Sequence, residues 1–208
     1  MTGLRERSKQ KRRQTILSAA EALIRKNGYS QTTIDEIAGA ADVSVGTLYS
    51  YFGSKGGVLS ALMLPIVDHM EEKAARIIAS PPKRGVDAVA AIFEAYRFSD
   101  DWKSLNILAA FDAYSTDRAD SALDDIKTAF ERVKKRQLRE LLEKLAEQGV
   151  FPDSLDFDDV VALLYMLLIS HFEDYLAARG EMHYEEMIVN MQRRLRVMFE
   201  CWETQDTE

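Results

Sequence analysis

Residues 32–55 read TTIDEIAGAADVSVGTLYSYFGSK, and this stretch decides the fold of the N-terminal part of the 208-residue chain. In Thr33-Ile34-Asp35-Glu36, a threonine lies three residues before a glutamate, which is the capping-box pattern of a helix start. Ser44 is the expected cap of a second short helix, in which Leu48 and Phe52 share an apolar face. Because only about four residues separate these helices, they must cross steeply, as in a helix-turn-helix.

The second helix of this pair has a polar face suited to DNA. Thr47 and Tyr51 are four residues apart and project together, near Val45 and Gly46. A glycine lets the backbone approach a major groove closely, and hydroxyl groups can meet phosphates or base edges. Thr33 and Lys55 are expected at helix N-termini, which favour anions. We therefore predict a recognition helix at about residues 44–51.

The segment VSVGTLYSYFGSK resembles the recognition helix and following turn of the tetracycline-repressor (TetR) family, and the resemblance covers roughly residues 10–60. It implies a dimeric regulator of transcription. It also implies base or groove contacts from Val45, Gly46 and Thr47, and phosphate contacts from Thr33, Ser44, Tyr49, Tyr51 and Lys55. Two departures from the family pattern are Asp42 at the turn, where glycine is usual, and Gly56-Gly57 in place of an acidic pair. Because aspartate tolerates the left-handed conformation better than most residues, we expect the turn at Asp42 to be kept.

Apolar residues recur with helical period along nearly the whole chain, which predicts an all-α protein of about nine helices. A three-helix DNA-binding domain is expected at 1–53 and a helical ligand-binding and dimerisation domain at 54–208. Ser54 is the expected cap of a long helix that contains Pro65. The other helices are predicted at about 8–27, 84–98, 101–115, 121–148, 156–179 and 183–203.

Charge is unevenly distributed. The net charge is −7, yet residues 1–60 carry nine Lys/Arg against five Asp/Glu, so the N-terminal part is basic and the remainder acidic. A single cysteine, Cys201, fits a reducing compartment, although a bridge between two chains stays open. No signal-peptide pattern and no apolar run of about 20 residues occurs, so we expect a cytoplasmic protein without membrane contact.

The last two predicted helices are apolar enough to form a subunit interface. A helix-turn-helix usually needs two copies to span successive half-sites of an operator, so we expect a homodimer. Two helices per chain would build a four-helix interface, which the family resemblance supports. Closure of a monomeric core is the alternative. The expected interface residues are Val161, Leu164, Leu168, Phe172, Ile188, Met191, Leu195, Met198 and Trp202.

The region between these helices and the Pro65 helix is rich in aromatic and methionine residues, and the resemblance implies an effector pocket there. Such a lining suits an apolar or aromatic small molecule, whereas ordinary core packing is the alternative for each residue. The expected ligand-binding residues are Phe93, Tyr96, Trp102, Asn106, Phe111, Asp112, Tyr114, Tyr165, Met166 and His171.

Other classes of function have little support. Each of the three histidines precedes an acid by three residues, but with 34 acids such pairs arise by chance, so we expect neither a metal enzyme nor a cofactor. No nucleophile elbow or phosphate loop is present. The sequence predicts a ligand-released repressor on double-stranded operator DNA, and an activator or architectural protein without an effector is the alternative.

Overall fold

The computed structural model describes residues 2–96, 120–151, 155–178 and 183–202, and all regular secondary structure within them is helical. The eight helices are α1 (Thr2–Asn27), α2 (Ile34–Ala40), α3 (Val45–Phe52), α4 (Lys55–Ala79), α5 (Gly85–Ala95), α6 (Ser121–Glu147), α7 (Phe157–Ala177) and α8 (Tyr184–Trp202). The predicted all-α class is confirmed. The predicted helix at 101–115 lies outside the described residues. In the described ranges no helix is both long and apolar enough to span a membrane.

The described residues fall into two compact units, the first comprising residues 2–68 and 120–129. Its core contains Ile16, Ala20, Ile37 and Leu48, and α2 packs against both α1 and α3. The N-terminal helix starts at Thr2, six residues before the expected start at Ser8. The division into compact units falls inside α4 and α6, whereas the functional boundary between residues 53 and 54 stays a prediction.

Two residues of positive φ end the first two helices. Gly28, with φ 84°, donates its N–H to the Ile24 carbonyl at 2.8 Å and stops α1. Asp42, with φ 53°, occupies the turn after α2 and is the only non-glycine residue in the described ranges with positive φ. The predicted left-handed aspartate is therefore confirmed, because a short polar side chain tolerates this conformation better than most.

The second unit comprises residues 69–96, 130–151, 155–178 and 183–202. In it α8 packs against both α5 and α7. Fully buried side chains of four helices make its core: Val89, Ile92, Leu138, Leu141, Leu164, Met191 and Leu195. Phe151 stacks its ring edge against Phe157 and lies 5.7 Å from Phe199 between ring centroids, so it fixes the turn before α7 to α8.

Candidate functional site

Helix α3, the predicted recognition helix, is capped at its N-terminus by a hydroxyl group. The Ser44 Oγ accepts the Thr47 backbone N–H at 3.1 Å, and the two hydroxyl groups lie 2.8 Å apart. Ser44 therefore caps α3 as predicted. The Thr47 hydroxyl is bound to Ser44 within the protein, so a groove contact from Thr47 shares this hydroxyl with the cap.

Burial along α3 agrees with the predicted apolar position of Leu48, whereas Thr47 and Tyr51, the pair predicted to project outward, are half-buried. Leu48 is fully buried and anchors the helix on the core. Gly46 is exposed, and a Cβ atom built there would meet only the Ser44 Oγ, at 4.0 Å, so the backbone is open to close approach. Tyr49 is 50% exposed. The backbone at Gly46 and part of the Tyr49 side chain are therefore accessible on the surface of α3.

Thr33 and Glu36 form the predicted capping box of α2. The Thr33 Oγ1 accepts the Glu36 N–H at 3.2 Å, and the Glu36 carboxylate accepts both the backbone N–H and the hydroxyl of Thr33 at 2.8 Å. These hydrogen bonds lower the pKa of Glu36. The Thr33 hydroxyl already has donor and acceptor partners, so its predicted phosphate contact stays a prediction.

Lys55, at the start of α4, braces the turn before α2. Its ammonium group donates to the backbone carbonyls of Tyr29 and Thr32, both at 3.0 Å, and lies 4.2 Å from the centroid of the Tyr29 ring. The sequence predicted Lys55 only as a phosphate contact. The structure adds an internal role that joins α4 to the α1–α2 turn, and the phosphate contact stays a prediction.

Asp120, which the sequence analysis missed, joins the start of α6 to the start of α4. Its carboxylate accepts the Ser54 hydroxyl at 3.2 Å, the Gly56 N–H at 3.0 Å and the Ala122 N–H at 3.0 Å. The negative charge lies at two helix N-termini, where it is stabilised. Ser54 also accepts the Gly57 N–H at 2.8 Å, as its predicted capping role requires.

The Gly56-Gly57 pair was the sequence feature from which a close contact at the start of α4, the joint between α3 and α4, could have been predicted. A Cβ atom on Gly56 would lie 2.3 Å from the Asp120 carboxylate, and one on Gly57 would lie 1.9 Å from the Phe52 carbonyl oxygen. The glycines are therefore sterically required here, because they let the end of α3 and Asp120 approach the first turn of α4. The family departure noted in the sequence has a local structural cause.

The predicted effector residues do not form one group in the described structure. Phe93 and Tyr96 are buried together, with ring centroids 6.5 Å apart. Tyr165 is half-buried beside Lys135, whose ammonium group lies 4.8 Å from the ring centroid. Met166 is 61% exposed, which argues against a pocket lining for that residue. Five of the predicted residues lie outside the described ranges: Trp102, Asn106, Phe111, Asp112 and Tyr114.

His171 fastens α7 to α8. Arg194 donates to the His171 Nε2 at 2.9 Å, so His171 Nδ1 carries the proton that it donates to the Leu167 carbonyl at 2.8 Å. Both ring nitrogens of this buried histidine therefore have protein partners. These contacts give His171 a structural role, and its predicted role in ligand binding stays a prediction.

The predicted subunit interface needs correction. Val161, Leu164, Leu168, Met191 and Leu195 are buried inside the single chain, so they pack the core of the second unit and are closed to a partner. Phe172, Ile188 and Met198 are half-buried, and the side chain of Trp202 is outside the described set. The final helices instead expose other large apolar residues: Leu163 (43%), Met166 (61%), Val189 (63%) and Val197 (65%).

Comparison with known proteins gives the N-terminal segment a family. Residues 16–62 match the family described as "Bacterial regulatory proteins, tetR family". The chain is 41% identical over 69 residues to the HTH-type transcriptional regulator HbdR of Aromatoleum sp. (strain CIB), covering 33% of this chain and 30% of HbdR. It is 35% identical over 81 residues to the HTH-type transcriptional repressor KstR of Rhodococcus jostii (strain RHA1), covering 39% and 36%. The alignments thus span about a third of these two relatives.

The likeness in fold extends over nearly the whole chain. The solved structure of a SmeT–triclosan complex superimposes with a TM-score of 0.70 and covers 94% of this chain and 93% of SmeT. Sequence identity in that superposition is 17%, so the likeness concerns the fold.

Proposed function

We propose that this chain is a transcriptional regulator of the TetR family that represses transcription as a homodimer on a palindromic operator and is released by a small apolar or aromatic effector. The observation that carries the proposal is the surface of α3. Gly46 and Tyr49 are exposed there, whereas Leu48 anchors the helix and Ser44 caps it. A short rigid helix with an open face is what a major groove accepts.

The basic N-terminal helix supports DNA as the partner. Arg5, Arg7, Lys9, Lys11, Arg12 and Arg13 are all exposed on α1. Such a run of cations attracts the phosphate backbone and steers association without specifying sequence. Sequence readout is then assigned to Val45, Gly46 and Thr47, with phosphate contacts from Thr33, Ser44, Tyr49, Tyr51 and Lys55.

A second copy of the chain is the proposed occupant of the exposed apolar residues on the final two helices. Leu163 and Met166 lie three residues apart on α7, and Val189 and Val197 lie eight apart on α8, so each pair shares a helix face. Large apolar residues on solvent-facing helix faces mark interaction surfaces. A palindromic operator requires a two-fold partner, which a second copy supplies.

Release by an effector is supported by likeness. KstR is a repressor, and SmeT was solved with triclosan. The N-terminal segment of this chain is related to that of KstR and its fold is like that of SmeT, which supports repression that a small molecule relieves. The buried Phe93 and Tyr96 rings provide an aromatic wall in the second unit. Displacement of α4 by the effector is the proposed route to release of the operator, because only two residues separate α4 from α3.

The contact model is tested with an operator selected from random DNA. Lys55→Ala is expected to weaken binding to all sequences and to reduce the slope of log affinity against log salt by about one. Because Lys55 also braces the α1–α2 turn, thermal stability of the variant must be measured beside affinity. Lys26→Ala, which removes an equal charge from the exposed end of α1, is the matched control.

An unchanged salt slope with lower stability would assign Lys55 to the brace alone. Tyr49→Phe and Tyr51→Phe remove only the phenolic hydroxyl groups and test these phosphate contacts separately. If affinity for the selected operator is the same in both tyrosine variants and in Lys55→Ala, the proposed contact surface is wrong.

A further inference from the structure

Lys134 is a half-buried lysine of α6 that lies between aromatic rings. Its ammonium nitrogen is 5.8 Å from the ring centroid of Tyr96 and 5.6 Å from that of Phe130. Among the described residues it has no carboxylate within ion-pair distance. Burial lowers the pKa of Lys134 to about 8. At neutral pH the group therefore stays mostly charged without an anionic partner.

Neighbouring cations on the same helix are arranged differently. Lys135 pairs with Glu131 at 2.5 Å, Arg136 pairs with Glu71 and Glu140, and Arg139 pairs with Glu143 and Asp158. These are ordinary, partly exposed ion pairs on a helix surface. Lys134 is turned instead toward Tyr96, a residue that the sequence predicted to contact a ligand.

Gln137 provides the second observation. It lies three residues after Lys134, on the same face of α6, and is only 3% exposed. Its Oε1 atom is buried and has no hydrogen-bond partner among the described residues. An amide oxygen buried without a partner is costly, and either orientation of the amide leaves one hydrogen-bonding atom unused. A ligand that brings its own polar group would satisfy it.

The surroundings of the Lys134 ammonium group are aromatic. The buried Phe93 ring lies beside Tyr96, and the Tyr96 hydroxyl donates to the Lys134 backbone carbonyl at 3.3 Å, which fixes the ring. Contact with the faces of aromatic rings does not use the three N–H donors of an ammonium group, and among the described residues none of the Lys134 donors has an acceptor within the protein. An anionic oxygen group would accept from this ammonium in a charge-assisted hydrogen bond.

We propose that Lys134 anchors the anionic group of the effector, and that the effector is an amphipathic acid, a carboxylate on an apolar or aromatic body. The Phe93, Tyr96 and Phe130 rings contact the apolar body, and Gln137 hydrogen-bonds a polar atom next to the carboxylate. This assignment rests on the proposed effector control and narrows the effector from any apolar molecule to an acid.

The test uses matched pairs of probes, decanoate with methyl decanoate and naphthoate with methyl naphthoate, titrated into the full chain by calorimetry. We expect at least one acid to bind more tightly than its ester. Lys134→Met should weaken that binding about tenfold or more, the loss of a charge-assisted hydrogen bond. Lys135→Met, which removes the adjacent ion-paired lysine, is the control and should bind as the wild type does.

The pH dependence separates an ion pair from simple packing. Tyr96 of α5 and Tyr165 of α7 stay neutral because burial raises their pKa values, that of Tyr165 to about 12. Glu131 is held by Lys135. Since the acid binds the charged form of Lys134, affinity should be constant below pH 8 and fall up to about tenfold per unit above it. Lys134→Arg should bind the acid without that fall.

The outcomes are distinguishable from failure of the proposed function. Operator binding is measured separately and without probe, so a chain that binds acids but no operator would reject the repressor and leave the acid site standing. Esters that bind as tightly as acids would overturn the acid assignment. So would a Lys134→Met variant that matches wild type, or absence of binding by both acids at about 1 mM, a weak limit for a specific site.

Discussion

Two regions of the molecule are held together by different kinds of contact. One is the joint between α3 and α4, and the other is the pair of final helices, α7 and α8. At the joint, the Ser54 hydroxyl group caps α4 from three residues away and glycines allow close backbone approach, while Asp120 adds a contact from a distant part of the chain. In the final helices, the buried seam and the His171–Arg194 contact join residues far apart in the chain. Local patterns therefore describe the first region except for Asp120, and they do not describe the second.

The comparison also explains which sequence-based assignments held. A cap needs only a hydroxyl at a fixed distance along the chain, so Thr33 and Ser44 could be identified from spacing. A seam of apolar residues on a helix has the same spacing whether it faces its own core or a partner. The Met191–Leu195 seam was read as a subunit interface, and it is the interior of the chain.

The largest effect is expected from a substitution that disrupts the joint between α3 and α4. Gly57→Ala places a Cβ atom 1.9 Å from the Phe52 carbonyl oxygen, so the first turn of α4 must move away from α3. We expect a loss of about 3 kcal/mol in unfolding free energy, as for overpacking of a tight site, with loss of operator binding. Chemical denaturation measures it. Gly39→Ala, where a Cβ meets nothing within 4 Å, is the control and should stabilise α2 slightly. Equal stability of the two variants would contradict the steric argument.

A smaller effect is expected from the exposed apolar side chains of the final helices. Leu163→Glu replaces a 43% exposed leucine, so folding of the single chain should change by less than about 0.5 kcal/mol. In a dimer, the buried carboxylate should weaken association by about 2 kcal/mol or more. Light scattering at low micromolar concentration measures the shift toward monomer. Thr128→Glu, an equal charge on the exposed side of α6, is the control. An unaltered dimer would place the interface elsewhere.

The smallest expected effect tests whether one non-local contact supports the locally built joint. Asp120→Ala removes the acceptor for Ser54, Gly56 and Ala122, and should cost about 1–2 kcal/mol of stability. Operator affinity should fall several-fold because α4 loses part of its N-terminal restraint. Asp125→Ala, an exposed aspartate one turn later, is the control. If Asp120→Ala binds operator as wild type does, Asp120 stabilises the start of α6 but is not needed to position α4 for operator binding.

Much of the proposed DNA-binding surface could be predicted from the sequence, whereas little of the proposed effector site could. The exposed Tyr49 and buried Leu48 follow from helical period and the position of the cap. Lys134 carried no signal, because a lysine among the charged residues of α6 looks like any solvated helix residue. Its aromatic surroundings come from Tyr96, 38 residues away. Asp120 was hidden likewise, since its partner Gly56 lies 64 residues away.

By itself the sequence determined the helical class, the helix-turn-helix with its capping residues, and the left-handed turn at Asp42, since each depends on residues within one or two turns. Tertiary structure alone decided that Lys55 braces the α1–α2 turn, that Asp120 caps two helices and that Lys134 faces aromatic rings, with no acid of the described ranges in ion-pair distance. The physical reason is that spacing along a helix sets which face a residue shares, whereas only packing decides what lies opposite that face.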